Sequence, residues 1–200
     1  MLQPPVNNYC VYNQDFTVMV SSLARENPIR KSNPPGGPEH DNDTASQNSQ
    51  IVGGPNARSD YHINPTPEWF YQHRGAMVLK VVDHDGAFRD VVLRQGDMFL
   101  LPPNTPHNPV RFAGTVGLVL EQRRPPGSVD RMRWYCASCP GAVVVHEEAF
   151  HCVDLGSQIK QAVEDFSRDD QKRRCRRCGQ LADWAPAQGS VPDPNLGDVS

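Results

Sequence analysis

The chain has 200 residues with 15 Gly and 19 Pro, which indicates a turn-rich protein long enough for one sizeable core and an appendage. Its formal net charge of −3 argues against a general nucleic-acid or membrane-surface binder, which would carry a basic excess. No apolar run approaches the roughly 18 residues that span a bilayer, and the first residues lack the pattern of a secretory signal. We therefore expect a cytoplasmic protein, in which the six cysteines bind metal or react as thiols rather than form disulfides.

Short strands separated by turns dominate the predicted structure. Stretches rich in Val, Leu, Phe and Tyr predict strands at residues 9–20, 76–83, 88–102 and 114–122. The sequence Asp-His-Asp-Gly at 83–86 predicts a hairpin turn, because Asp-Gly supplies positive φ. One helix is expected at Gln158–Ser167, where Ile159, Val163 and Phe166 share an apolar face. The fold class is therefore mainly β, an antiparallel sandwich or small barrel.

Two stretches are too polar to form a core. Residues 31–50 contain no Val, Ile, Leu, Met, Phe, Trp, Tyr or Cys, and the tail after Gln188 is rich in Pro, Gly and Asp. Such segments bury too little apolar surface to offset the entropy lost on ordering. We expect residues 31–50 to be disordered and the tail to be flexible.

A set of possible metal ligands lies in the central part of the chain. His62 is followed by Glu68, and His107 comes later in a Pro-rich segment. Two imidazoles and one carboxylate leave several positions of an octahedral metal open, which suits ferrous iron that must bind both a substrate and dioxygen. Spacing of the ligands alone is weak evidence. However, Gly75 follows Glu68, and Gly96 and Pro102 precede His107, so each group of ligands lies next to a glycine or proline.

This framing resembles the two motifs of the cupin barrels, although the first motif has one His here instead of two. The segments at 52–72, 96–112 and 117–127 closely resemble the 3-hydroxyanthranilate 3,4-dioxygenase family. The resemblance covers most of residues 1–20 and 51–184. It implies a cupin barrel, also called a double-stranded β-helix or jelly roll, that opens an aromatic ring in the pathway from tryptophan to quinolinate and NAD.

The resemblance also implies roles for individual residues. In that family two His and one Glu bind catalytic Fe(2+), which assigns this role to His62, Glu68 and His107, with Glu68 also beside the substrate. An arginine before the first ligand, which contacts dioxygen, matches Arg58.

Two further family residues that contact the substrate match Arg111 and Glu121. The chemistry agrees with these roles, since a guanidinium binds a carboxylate through two hydrogen bonds and Arg111 would hold the substrate carboxylate this way. Arg58 would stabilise negative charge on oxygen, and Glu121 would carry a proton. One alternative stays open, in which Arg58 and Arg111 simply pair with Asp60 or Glu121 at the barrel rim.

Four cysteines predict a second metal site. The pairs Cys136-x-x-Cys139 and Cys175-x-x-Cys178 have the knuckle spacing of tetrathiolate sites that hold zinc or iron. Some members of the resembled family carry such an appendage with bound iron. A closed site with four protein ligands has no place for a substrate, so we expect this second iron or zinc to be structural.

These observations divide the chain into three parts. We expect a cupin barrel over residues 1–130, a paired-CxxC metal subdomain over 131–184 and a flexible tail over 185–200. The resembled family runs from a strand like that before residue 21 almost directly into the segment at residue 52. Residues 21–50 are therefore expected to be a disordered insertion in the barrel, and the alternative that they are unremoved non-coding sequence stays open.

The sequence predicts a dioxygenase that opens the ring of 3-hydroxyanthranilate with both atoms of dioxygen. The product would be 2-amino-3-carboxymuconate semialdehyde, the precursor of quinolinate. Its expected partners are this substrate and dioxygen, with no nucleic acid or membrane, and the enzyme is predicted to be a homodimer. Two alternatives remain: a zinc-ribbon interaction module with a non-catalytic cupin barrel, and a cupin enzyme of other chemistry such as a sugar isomerase.

Overall fold

A computed structural model describes residues 9–13, 16–22, 56, 58–186 and 189–196. Within these residues the chain forms short strands followed by two helices close to the C-terminal end. The strands are β1 (Tyr9–Asn13), β2 (Phe16–Ser22), β3 (Tyr61–Ile63), β4 (Glu68–Arg74), β5 (Met77–Val82), β6 (Phe88–Leu93), β7 (Met98–Leu101), β8 (His107–Arg111), β9 (Val116–Gln122), β10 (Asp130–Tyr135) and β11 (Val144–Phe150). The helices are α1 (Leu155–Arg168) and α2 (Asp170–Arg173).

The strands form two antiparallel sheets. One has the order β1-β2-β9-β4-β7, and the other has the order β11-β10-β3-β8-β5-β6. Neighbours in these orders are mostly distant along the chain, so the sheets are built by strands that alternate between them. This arrangement confirms the predicted mainly β cupin fold.

Most predicted elements are present, although two predicted strands are each divided. Residues 9–20 contain the antiparallel pair β1 and β2, and residues 88–102 contain β6 and β7. The turn at 83–86 is confirmed, since Gly86 has a φ of 81° and its N–H donates to Asp83 O at 2.9 Å. Helix α1 contains the whole predicted helix, and Ile159, Val163 and Phe166 are buried as expected.

The barrel core lies between the two sheets and fixes which side chains point inward. Phe70 on β4 and Val119 on β9 are buried against Leu79 and Val81 of the opposite sheet. Because side chains alternate along a strand, Glu68 points to the same side as Phe70, and Glu121 to the same side as Val119. Two carboxylates are therefore placed inside the barrel by strand periodicity.

A second core joins the C-terminal segment to the barrel. The ring of Trp134, on β10, stacks on Phe166 of α1 with centroids 4.2 Å apart, and both side chains are buried. Strand β10 also pairs with β3, so the six-stranded sheet continues past the predicted boundary at residue 131. The metal-site segment thus shares a sheet with the barrel.

Neither helix of the described segments is long and apolar enough to cross a membrane.

Two predicted boundaries need correction. Ser21 and Ser22 pair with Gly117 and Val116 of β9, so the first two residues assigned to the insertion belong to β2. The rest of the predicted insertion, residues 23–50, lies outside the described residues. In the predicted flexible tail, the side-chain amide of Asn195 bonds both backbone groups of residue 76, at 2.6 and 3.1 Å. The tail is therefore attached to the barrel at this point.

We predict that Phe166→Ala lowers the free energy of unfolding by about 3–5 kcal/mol, because it removes a fully buried ring and leaves a cavity beside Trp134. Chemical denaturation followed by Trp fluorescence measures the loss. Phe88→Ala is the matched control, since that ring is 47% exposed and its removal should cost less. Equal losses for the two variants would contradict the second core.

Candidate metal centre

Three of the predicted ligands meet inside the barrel. His62 lies on β3, Glu68 is the first residue of β4, and His107 is the first residue of β8. His62 and His107 are directly opposite each other in the pairing of β3 with β8. All three side chains are buried, and one potential ligand atom from each lies within 4.8 Å of the others.

The ring nitrogens of both histidines are arranged as in metal ligands. The Oε1 atom of Glu68 lies 3.2 Å from His107 Nε2 and 4.0 Å from His62 Nδ1. The other nitrogen of each ring has a separate acceptor, which is Thr105 O at 3.0 Å for His107 and Asp130 Oδ2 at 2.8 Å for His62. Metal-bound histidines almost always have such a second partner. This set of donors therefore fits a divalent metal with open positions.

The charges of the three residues also suit a cation. Burial raises the pKa of Glu68, but His107, His62 and Arg124 together outweigh burial, and the net pKa is below its ordinary value. Burial lowers the pKa of His62 despite the opposing effect of Asp130, so this imidazole is neutral. Although burial opposes it, Glu68 raises the pKa of His107. A bound cation would replace the proton on His107, because metal binding and proton release are coupled.

Arg111 and Glu121 lie beside this cluster. Arg111 ends β8 and is fully buried, and burial lowers its pKa to about 10, with Glu68 acting in the opposite direction. Glu121 is opposite Glu68 in the pairing of β9 with β4. Burial and then the charge of Glu68 raise the pKa of Glu121 to about 7, although Arg124 opposes this rise. A carboxyl group whose pKa is near 7 can both accept and donate a proton at neutral pH.

Arg58 lies apart from the cluster and is paired with Asp60. Its Nε and Nη2 atoms donate to the two carboxylate oxygens of Asp60 at 3.0 and 2.8 Å. The amide of Asn108 donates to the backbone oxygens of both residues. Arg58 also lines a cavity of 660 Å³ together with Tyr61 and Lys80. The structure thus has the Arg58–Asp60 pair that the sequence left open, and the role of Arg58 toward dioxygen stays a prediction.

Two residues of the site were missed by the sequence analysis. Arg124 contacts Glu121 Oε2 at 2.8 Å, so Glu121 is ion-paired with an arginine that the sequence analysis did not consider. Arg124 also binds Asp130, the carboxylate that contacts His62. Arg124 stands only three residues after Glu121, but nothing in the sequence indicates that Asp130 approaches His62. That contact depends on the pairing of β10 with β3.

The four knuckle cysteines also come together. Cys136 Sγ lies 3.6 Å from Cys178 Sγ, Cys139 Sγ lies 4.0 Å from Cys175 Sγ, and all four sulfurs lie within 4.8 Å of one another. Backbone N–H groups of the second knuckle, foremost that of Cys178, lower the pKa of Cys175 to about 7. Gly179 adopts a φ of 75° and closes this knuckle. The cluster fits a tetrahedral thiolate metal site.

Comparison with known proteins gives the family. A family model described as 3-hydroxyanthranilic acid dioxygenase matches residues 40–167. The 3-hydroxyanthranilate 3,4-dioxygenase of Podospora anserina is 59% identical over 98% of this chain and 89% of its own length. The enzyme of the same name from Pyricularia oryzae is also 59% identical, over 98% of this chain and 90% of its own. This chain belongs to the 3-hydroxyanthranilate 3,4-dioxygenase family.

Solved structures that resemble this dioxygenase-family chain include cupin proteins. A cupin-2 domain protein from Shewanella frigidimarina aligns with a TM-score of 0.36 at 12% identity, over 58% of this chain and 79% of its own. A cupin of the RmlC-like type from the same organism gives a TM-score of 0.36 at 13% identity, over 63% of this chain and 83% of its own.

We predict that Cys175→Ser lowers the yield of folded protein and its melting temperature. The metal content should fall by one ion per chain. The reason is that the free energy of metal binding at a thiolate site contributes directly to folding. Metal analysis and thermal melting of purified protein measure these changes. Cys152→Ser is the matched control, because Cys152 lies outside the cluster. Unchanged stability and metal content in Cys175→Ser would contradict a structural metal site.

Proposed function

We propose that this protein opens the aromatic ring of 3-hydroxyanthranilate with dioxygen and forms 2-amino-3-carboxymuconate semialdehyde. Both oxygen atoms enter the product, which closes to quinolinate, a precursor of NAD. The observation that carries this proposal is the buried His62–Glu68–His107 cluster in a chain of this dioxygenase family. Enzymes of this class need a metal with open positions, and the cluster supplies only three protein ligands.

The proposed catalytic metal is Fe(2+), held by His62, Glu68 and His107. Bound ferrous iron would accept the amine and hydroxyl of the substrate together with dioxygen at its open positions, which is the chemistry that this donor set supports. The proposed metal of the four-cysteine cluster is a second iron or zinc. With four thiolate ligands it has no open position, so its role is structural.

Arg111 is the proposed partner of the substrate carboxylate. Its planar guanidinium can form two parallel hydrogen bonds to a carboxylate, and burial strengthens these bonds by excluding water. The arginine is already inside the barrel, so binding requires no further transfer of its charge from water.

Glu121 is the proposed proton carrier and Glu68 the carboxylate that borders the substrate. The pKa of Glu121, about 7, allows the side chain to take a proton from the substrate hydroxyl or amine and return it later. Arg58 is the proposed contact of dioxygen. Asp60 accepts from two of its donor atoms, and a guanidinium has five N–H groups in all, so others could donate to an anionic oxygen.

The two alternative functions are less well supported. An interaction module would not require a carboxylate and two imidazoles buried together inside the barrel. A sugar isomerase would not require a fully buried arginine such as Arg111 beside the metal ligands. Family membership favours ring opening over both alternatives.

A reducing location is also proposed, because the five cysteines that the structure describes are free thiols. Thiols of this kind persist in the cytoplasm, where disulfides are rare. The homodimer remains a prediction. Gel filtration with light scattering of the iron-loaded protein would determine the number of chains.

The direct test is oxygen uptake by the iron-loaded protein with 3-hydroxyanthranilate, with one dioxygen consumed per substrate. We predict that His107→Ala reduces uptake to background and removes one iron per chain, while the thiolate metal remains. The variant loses one of three ligands, and the thiolate site is independent of them. His84→Ala is the control, since that imidazole is exposed. Full activity of His107→Ala would contradict the ligand set.

Arg111→Ala should weaken substrate binding by about 1.5–3 kcal/mol, the range for a hydrogen bond to a charged group. Iron content should stay the same, because Arg111 is not one of the three clustered ligands. Titration with 3-hydroxyanthranilate and with its decarboxylated analogue, 2-aminophenol, measures the effect. The variant should discriminate less between the two compounds than the wild-type protein does. Undiminished discrimination would contradict the role of Arg111.

A further inference from the structure

A buried carboxylate contacts the metal-site histidine that lies on β3. Asp130 Oδ2 is 2.8 Å from His62 Nε2, and Asp130 is fully buried. The opposite ring nitrogen of His62, Nδ1, is the one that faces Glu68. The contact therefore requires Nε2 to carry the proton and leaves the lone pair of Nδ1 directed toward Glu68.

Strand pairing explains why Asp130 reaches His62. Met132 of β10 lies directly opposite His62 in the pairing with β3. Asp130 is two residues before Met132, so its side chain is on the same face and diagonal to His62. It is also the first residue of β10, and its backbone is held on the other side by β11. The acceptor is thus carried by a strand with partners on both sides.

Arg124 holds Asp130 from the other side. Its Nε donates to both oxygens of Asp130, at 2.8 and 2.9 Å. Its Nη2 lies 2.8 Å from Asp130 Oδ2 and 2.8 Å from Glu121 Oε2, and both contacts are ion pairs without the alignment of a hydrogen bond. One guanidinium therefore bridges the carboxylate that contacts His62 and the carboxylate proposed as proton carrier. The side chain of Arg124 is only 13% exposed.

We propose that Asp130 and Arg124 are positioning residues of the metal centre. Asp130 fixes the ring of His62 with Nδ1 toward Glu68, and Arg124 fixes Asp130 and Glu121 in one arrangement. This inference rests on the proposed function, since it assumes that His62 is a metal ligand. It assigns a task to two residues that contact neither the proposed metal nor the proposed substrate carboxylate.

Two physical effects of Asp130 must be separated. The first is positioning, in which the carboxylate holds the ring and its tautomer. The second is the general attraction between a buried negative charge and a cation. Removal of Asp130 weakens metal binding by either effect. Removal of the charge of Arg124 separates them, because attraction alone then predicts tighter cation binding and loss of positioning predicts weaker binding.

The experiment measures the affinity for Mn2+ of the full chain that keeps the metal of its cysteine cluster and lacks a metal in the barrel, from the electron paramagnetic resonance signal of the free ion. Mn2+ prefers oxygen and imidazole donors and avoids thiolates, so it reports on the barrel site and not on the cysteine cluster. The variants are Asp130→Asn and Arg124→Gln. Asp60→Asn is the matched control, because Asp60 is also a buried carboxylate paired with an arginine, but it binds Arg58 and not an imidazole.

We expect Asp130→Asn to raise the Kd for Mn2+ by about 10–100-fold, the usual effect of altering such a partner of a metal-bound histidine. The neutral amide has only one accepting oxygen, which is a weaker acceptor than a carboxylate and cannot hold both His62 and Arg124 as Asp130 does. Arg124→Gln should raise the Kd by up to about tenfold, because Gln reaches only one of the two carboxylates. Asp60→Asn should stay near the wild-type value. If Asp130→Asn does not fold, as judged by near-ultraviolet circular dichroism, the direction of change in Arg124→Gln decides alone.

Three results would overturn the proposal. A wild-type Kd in Asp130→Asn, or tighter Mn2+ binding in Arg124→Gln, would remove the positioning role while oxygen uptake by the wild-type protein still supports the proposed function. An equal loss in Asp60→Asn would show that any buried carboxylate has this effect. A wild-type protein that neither binds Mn2+ nor consumes oxygen would overturn the proposed function as well.

Discussion

The burial of acidic groups inside the barrel is the constraint on which the rest of the site depends. Four carboxylates are buried among the described residues: Asp60, Glu68, Glu121 and Asp130. An unpaired buried carboxylate is very costly, so each needs a cation or a proton. Arg58 and Arg124 are ion-paired with three of these carboxylates. Glu68 has two imidazoles and an amide donor as its nearest polar partners, which is the arrangement that a divalent cation completes.

The same constraint explains the charge states of the site. Burial and then the charge of the opposite Glu68 raise the pKa of Glu121 to about 7, although Arg124, which Glu121 shares with Asp130, opposes this rise. Asp130 keeps its charge, because the hydrogen bonds from His62 and Arg124 outweigh burial and lower its pKa. Two buried acids that share one guanidinium are thus driven to different protonation states. Such a separation suits a site where one acid transfers protons and the other holds a structure.

The sequence predicted the parts of the site that local patterns encode. The spacing of the cysteine pairs identified Cys136 and Cys175, since each knuckle is built from neighbouring residues. Resemblance to a family identified His62, Glu68 and His107, whose framing by glycines and proline is visible along the chain. The alternation that places Glu121 inside follows from strand periodicity.

Other features depend on strand pairing that no local pattern reveals. The division of residues 9–20 into the paired strands β1 and β2 is one case, because a stretch rich in strand-forming residues does not show where one strand ends and its partner begins. The contact of Asp130 with His62 is another, since it joins residues 68 positions apart through the register of β10 with β3. Which arginine pairs with which acid was likewise open, because Arg58, Arg111 and Arg124 are chemically equivalent candidates. Only the positions of their strands distinguish them.

Strand β10 has a consequence for how this family can vary. It begins at Asp130, beside His62, and Cys136 follows directly after its last residue. A strand of this length spans about 20 Å. The four-cysteine cluster, the proposed second metal site, therefore lies at one end of β10, and the other end of this strand contacts His62 of the proposed catalytic metal site. A family member without the four-cysteine cluster needs other contacts to hold this end of β10. Loss of the cysteines should therefore be accompanied by substitutions along β10 and its neighbouring strands.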